Sequence, residues 1–168
     1  MSEIVPMMEN QVLRQLVEGT SPLGARSPMV SDIGYQDVGG RITRYPLRKT
    51  ERTDAKPHRD VQLGHRWMDA MSVDYSCIFP TGMLWIGLHP QKEMEVDMCW
   101  AYNRWLTEKV LPESGGRMFS MLCLPLSDPD AALRQVETFG HRKGVGGFMV
   151  TTTRPKLEVH HNALMRTY

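Results

Sequence analysis

From residue 61 to the end of the chain, apolar positions alternate between a helical and a strand-like period. In Val61–Met71, Leu63, Trp67, Ala70 and Met71 recur at helical spacing, which predicts an amphipathic helix with those side chains on its core face. Val73–Pro80 (VDYSCIFP) is short, β-rich and mostly apolar, the pattern of a strand buried on both faces. A loop with Gly82, Gly87 and Pro90 leads into Glu93–Val110, a long helix. There Val96, Cys99, Asn103, Leu106 and Val110 share a face, and Met94, Met98, Ala101 and Trp105 form an adjacent stripe, so two sides should be covered. Arg117–Leu124 (RMFSMLCL) predicts a second strand. Ser127-Asp128-Pro129-Asp130 is a helix-start signal with proline in the first turn, opening a helix through Phe139 that Gly140 closes. Gly144–Val150 (GVGGFMV) predicts a third strand, and Asn162 opens a further helix that stops at Tyr168. Strands near 73–80, 117–124 and 144–150 separated by helices predict a parallel α/β sheet. Its chemistry would gather in the loops at the strands' carboxyl ends: Pro80-Thr81, Pro125-Leu126-Ser127 and Thr151–Arg154.

The segment before this rhythm is different. Glu9–Glu18 carries Val12, Leu13, Leu16 and Val17 at helical spacing and predicts one short helix ended by Gly19. Residues 19–60 are rich in Gly, Pro, Ser and charge. The chain therefore divides into residues 1–60, a helix and a long basic, Gly/Pro-rich loop region, and residues 61–168, the βα units. Between Arg41 and Arg66 there are eight Lys/Arg against three acids. A solvated surface accounts for this strip better than a phosphate-binding one, because Tyr45 is its one interleaved aromatic.

Composition narrows the classes. Over 168 residues, 41% hydrophobic and 23% charged side chains support a packed core, and a net charge of +1 gives no global field to recruit nucleic acid or acidic lipid. No apolar run reaches the roughly 18 residues of a membrane helix, and the N-terminus lacks a signal-peptide layout. Cys77, Cys99 and Cys123 are odd in number, widely spaced and set among apolar residues, as reduced core thiols are. A cytoplasmic location follows from these features.

Nucleotide binding is disfavoured, since no GxGxxG follows a predicted strand and no GxxxxGK[ST] occurs. His160-His161 is the one histidine pair; neighbouring side chains diverge, so an exposed pair fits better than a shared metal. His89 sits in the loop after the first strand, where a substrate-orienting side chain would belong; an incidental loop histidine is the alternative. Thr151–Arg154 offers hydroxyls and a guanidinium to an anion, or is an ordinary βα turn. Asn103, polar among apolar neighbours, is expected to satisfy backbone groups of an adjacent loop.

Taken together, Asn103-Arg104-Trp105-Leu106, then Arg117 to Ala131 (RMFSMLCLPLSDPDA), then Gly144 to Gly147 resemble motifs of the amidohydrolase-related family similar to aminocarboxymuconate-semialdehyde decarboxylase. The resemblance spans roughly residues 60–168. It implies three to four βα units of a (β/α)8 barrel whose members hydrolyse or decarboxylate small carbonyl and carboxylate compounds. It further implies a divalent metal, usually zinc, at the strands' carboxyl ends, a small-molecule substrate, and His89 and Arg154 as substrate-binding candidates. The family's H-x-H-x-x-P start aligns with Met1-Ser2-Glu3-Ile4-Val5-Pro6, leaving Glu3 as a weak metal-ligand candidate. The remaining family ligands would lie beyond Tyr168. A complete barrel needs about 250 residues, so the expectation is a truncated, catalytically incomplete form. The alternative is a non-catalytic half-barrel that assembles with itself or a complementary chain, with no nucleic-acid or membrane partner.

Overall fold

In a computed structural model, residues 3–20, 55–80, 83–84, 86–150 and 160–168 are described below. Thr151–Arg154 and residues 41–54 of the basic strip lie outside them. Helix α1 (Gln11–Thr20) and helix α2 (Arg59–Ala70) precede strand β1 (Ser76–Ile78). Helix α3 (Lys92–Trp105), strand β2 (Met118–Cys123), helix α4 (Pro129–Phe139) and strand β3 (Val145–Met149) follow. The three strands are parallel in the order β1-β2-β3, with Cys77 opposite Phe119 and Leu122 opposite Phe148. The molecule is thus a mixed helix–strand structure on a small parallel sheet, as the alternating periods predict.

Side chains alternate across a sheet, and the two faces here have different fates. Met118 and Leu122 are buried in one core with Met94, Met98, Cys99 and Leu106 of the α3 helix and its continuation and Phe139 of α4. Both connecting helices therefore cover the same face. On the other face Tyr75 is 69%, Phe79 58% and Phe119 39% exposed, and Tyr75 and Phe119 approach ring to ring at 6.2 Å. Burial of the first strand on both faces is thus not what the structure shows. Its apolar run also misassigned Cys77, which is exposed, whereas Cys99 and Cys123 are buried as expected. A run of apolar residues reports strand character but not the number of faces that are covered.

Helix α2 shares only part of its expected face with the core: Trp67 packs against it, while Ala70 and Met71 are exposed. Val61 and Met68 are fully buried, and Met71 is 61% exposed. The reason is Gly64, which lets the helix approach the sheet so closely that a Cβ there would stand 2.9 Å from Cε of Met118. Helix α3 ends earlier than the expected Val110. Its last turns widen at Leu106–Val110 and tighten at Leu111–Ser114, which contains Pro112. Thr107 Oγ1 donates to the carbonyl of Asn103 at 2.8 Å, a side-chain bond that competes with the helical ladder. Gly115 and Gly116 take the left-handed conformation (φ 61° and 82°) that turns the chain into β2. The helix at Asn162 is a single short turn, Asn162–Leu164.

Polar ties fix the elements. The Asn103 amide donates to the Cys123 carbonyl and to Gln135 Oε1, both at 2.8 Å, and its Oδ1 accepts the Cys123 N–H at 2.9 Å. Arg117 binds the Val73 carbonyl at 2.9 Å and Asp69 at 2.7 Å, holding the end of α2 to the start of β2. Asp97, itself buried, accepts the N–H groups of Glu9 and Asn10 at 2.8 and 3.1 Å. That bond seats the N-terminal segment, whose Ile4, Val5, Met8, Leu13 and Val17 join the main core.

Asn103→Ala removes both partners of the buried Cys123 backbone. Each orphaned buried polar group costs about 1–3 kcal/mol, so a loss of roughly 3 kcal/mol of unfolding free energy is expected in urea titration. A loss below about 1 kcal/mol would show that water replaces the amide.

Candidate functional site

The carboxyl ends of the strands meet the start of α3 around a small cavity. Met83, Ile86 and Gly87 come from the segment after β1, Cys123 and Leu124 from the end of β2, Met149 from β3 and Glu95 from the first turn of α3. Its volume of about 10 Å³ matches a single water. Glu95 is 1% exposed, and the Ser127 hydroxyl donates to its Oε2. The position suits an acid, because the unpaired N–H groups of a helix's first turn favour negative charge.

The loop carrying Ser127 is held from both sides. Asp128 caps α4 by accepting the Ala131 N–H at 3.1 Å, with Pro129 in the first turn, as the sequence signal predicts. Lys92 Nζ lies 3.1 Å from Asp128 Oδ2. Burial pushes the Asp128 carboxyl up, but the Ala131 N–H and Lys92 outweigh it, and the net direction is down. Asp128 in turn raises Lys92. Above the same loop, the closing residues of the chain form a second small core, with Leu164 fully buried among Leu124, Leu126 and Ala132.

A buried carboxylate hydrogen-bonded to a hydroxyl, at the carboxyl ends of parallel strands, can take up a proton or orient one small polar molecule. Neither Glu95 nor Ser127 stood out in the sequence as chemistry. The one signal was an acid between Met94 and Val96 on a helix expected to be covered on two sides, and Ser127 was legible only as part of a helix start.

The side chains singled out by sequence do not converge on this cavity. His89 turns onto its own loop, its Nδ1 accepting the Gln91 N–H at 3.2 Å. Arg154 lies outside the described residues. Glu3 belongs to the helical layer: its Oε2 accepts from Trp105 Nε1 at 2.9 Å and lies 2.8 Å from His58 Nε2. His58 also packs edge-on against Trp105 at 5.6 Å and donates its N–H to Glu113. His160 and His161 are both exposed, and His161 Nδ1 accepts the Ala163 N–H at 3.2 Å. Among the described residues no three His, Cys, Asp or Glu side chains group as a metal would need. Among them also no helix is long and apolar enough to cross a membrane. Neither a family model, a curated protein nor a solved structure matches the chain.

Two carboxylates of the N-terminal segment's seat titrate with opposite signs. The hydrogen bonds from Trp105 and His58 hold Glu3 below its ordinary 4.5. Its contribution to stability is therefore present above that value and lost as pH falls through the lowered one. Burial raises Asp97 above its ordinary 3.8, outweighing the N–H groups of Glu9 and Asn10. That contribution is present below the ordinary value and lost as pH rises through the raised one. In thermal unfolding across acidic pH, Glu3→Gln should flatten the fall in stability toward low pH, by about 0.5 kcal/mol or less because the carboxylate is well exposed. Asp97→Asn should steepen it; slopes unchanged in both variants would rule out these linkages.

Proposed function

We propose that the chain derives from the metal-dependent hydrolases and decarboxylases of the amidohydrolase-related type, acting on small carbonyl or carboxylate compounds in the cytoplasm. In this reading the described residues are consecutive βα units of a (β/α)8 barrel that are catalytically incomplete by themselves. The observation that carries it is the strand order. Consecutive parallel strands with both connecting helices on one side fit successive barrel units, and equally one βαβαβ half of a doubly wound sheet; the resemblance in the motifs favours the barrel. The cavity at the carboxyl ends stands where such barrels place their chemistry. Glu95 and Ser127 would face the substrate end, and no step through a metal is assigned to these residues.

A second reading has its own support. The apolar face that no described element covers, with Tyr75 and Phe119 exposed, favours a non-catalytic half-barrel that assembles with itself or a complementary chain.

Metal content and turnover test the first reading. Purified chain dialysed against zinc is expected to retain below about a tenth of an equivalent by elemental analysis, because a stable site takes three or more protein ligands. It should release no carbon dioxide or hydrolysis product from small keto and unsaturated carboxylates. One equivalent of zinc or steady turnover would overturn its catalytic incompleteness. The lineage itself fails if the flanking nucleotide sequence encodes neither an H-x-H segment upstream nor further βα units downstream.

A further inference from the structure

We infer that the cavity at the carboxyl ends of the strands is a binding site for a soft monovalent metal ion, copper(I), held by the sulfur atoms of Met83, Cys123 and Met149. Three separate elements bring these side chains to one cavity: the segment after β1, the end of β2 and the end of β3. Cys123 and Met149 are direct partners in the β2–β3 register. In-register neighbours on adjacent strands project to the same side of the sheet from backbones about 4.8 Å apart, so thiol and thioether reach the same space. Met83, itself buried, closes over them together with Ile86. Two of the three donors are methionines, which a grouping of His, Cys, Asp and Glu passes over.

The lining selects the ion. A volume of about 10 Å³ admits a single small atom or ion. Of the side chains around it only Glu95 carries a strong hydrogen-bonding group, because thiol and thioether sulfurs are weak partners for water. The same sulfurs are good donors to a soft, polarisable ion. Thioethers in particular separate copper(I) from magnesium, calcium and zinc, whose ligands are oxygen, imidazole nitrogen and thiolate. Charge is matched as well. On binding, a copper–sulfur bond replaces the S–H bond of Cys123 and the proton leaves to solvent, so one thiolate balances one positive charge. That balance matters at a residue 2% exposed, where an unpaired ion would be costly. Copper stays in the +1 state throughout and no electron is transferred. Met83 and Met149 add donors without adding charge. Glu95, whose Oε2 already accepts from Ser127, offers the oxygen that copper(I) ranks below sulfur.

The full chain carrying Cys77→Ser serves as the parent for the test, because Cys77 is an exposed thiol that would take copper(I) by itself. Under anaerobic ascorbate this parent is expected to withdraw one equivalent of copper(I) from its bicinchoninate complex. X-ray absorption at the copper edge should then show sulfur neighbours only. Met83→Leu and Met149→Leu nearly conserve volume and should leave circular dichroism unchanged. Each is expected to weaken copper(I) binding by about tenfold or more, a range that even the outer partners of a metal reach, and to remove one sulfur neighbour. Met165→Leu, at an exposed methionine outside the cavity, should leave the affinity as it is. No copper taken from the chelator overturns the site. So do nitrogen or oxygen neighbours in place of sulfur, which assign the ion to side chains such as the exposed His160 and His161. Parent-like affinity in either leucine variant overturns the three-sulfur site equally. Zinc retention, which tests the proposed lineage, is a separate measurement, so each reading can fail without the other.

Discussion

The carboxamide of Asn103 is the tie on which the rest of the arrangement depends. One side chain satisfies both backbone groups of Cys123, the last residue of β2, and hands its second amide proton to Gln135 of α4. Gln135 then reaches back to the Val96 carbonyl of α3 at 3.2 Å. A helix, a strand end and the next helix are joined by a closed network with 0% exposure at both Asn103 and Gln135. In an apolar interior such a network allows few alternatives, because any shift in register orphans several polar groups at once. It also fixes where β2 stops, and therefore where Leu124, Ser127 and the cavity wall stand relative to Glu95.

The same kind of structural use extends to other polar residues of the motifs quoted from the sequence. Asn103, Arg117 and Asp128 each belong to one of those sequence segments, and each is consumed by the fold. Asn103 closes the network, Arg117 binds the end of α2 to β2, and Asp128 caps α4. In this chain these residues set how the βα units join and leave the carboxyl ends of the strands to others. The catalytic half of the comparison rests on different positions. There the one described candidate, Glu3, is occupied by Trp105 and His58 on the helical layer.

The sequence made the elements legible because each has a local cause: apolar period for α3 and β2, Asp128 and Pro129 for the start of α4, glycine for the turns. The role of Asn103 was visible too, as a polar side chain on an apolar stripe, although its partner is a strand end rather than a loop. What escaped was decided by packing. The buried stripe of α2 depends on Gly64, a residue that carries no hydrophobic signal but sets how near the sheet the helix can lie. The exposure of Cys77 depends on which face of β1 the helices leave open, a non-local fact that a run of apolar residues cannot encode. Glu95 and Ser127 are 32 residues apart and became neighbours only when α3 and the β2–α4 loop were docked.

The two ends of the sheet make different demands, and together they explain why an apolar face and a polar cavity coexist. Near the carboxyl ends, Met83 and Ile86 close over Cys123 and Met149, so a carboxylate can be kept from bulk water next to a hydroxyl. Near the amino ends no described element takes that part, and Tyr75 and Phe119 cover one another only partly. Parallel sheets are normally covered on both faces, because strands rich in apolar residues gain little from facing water.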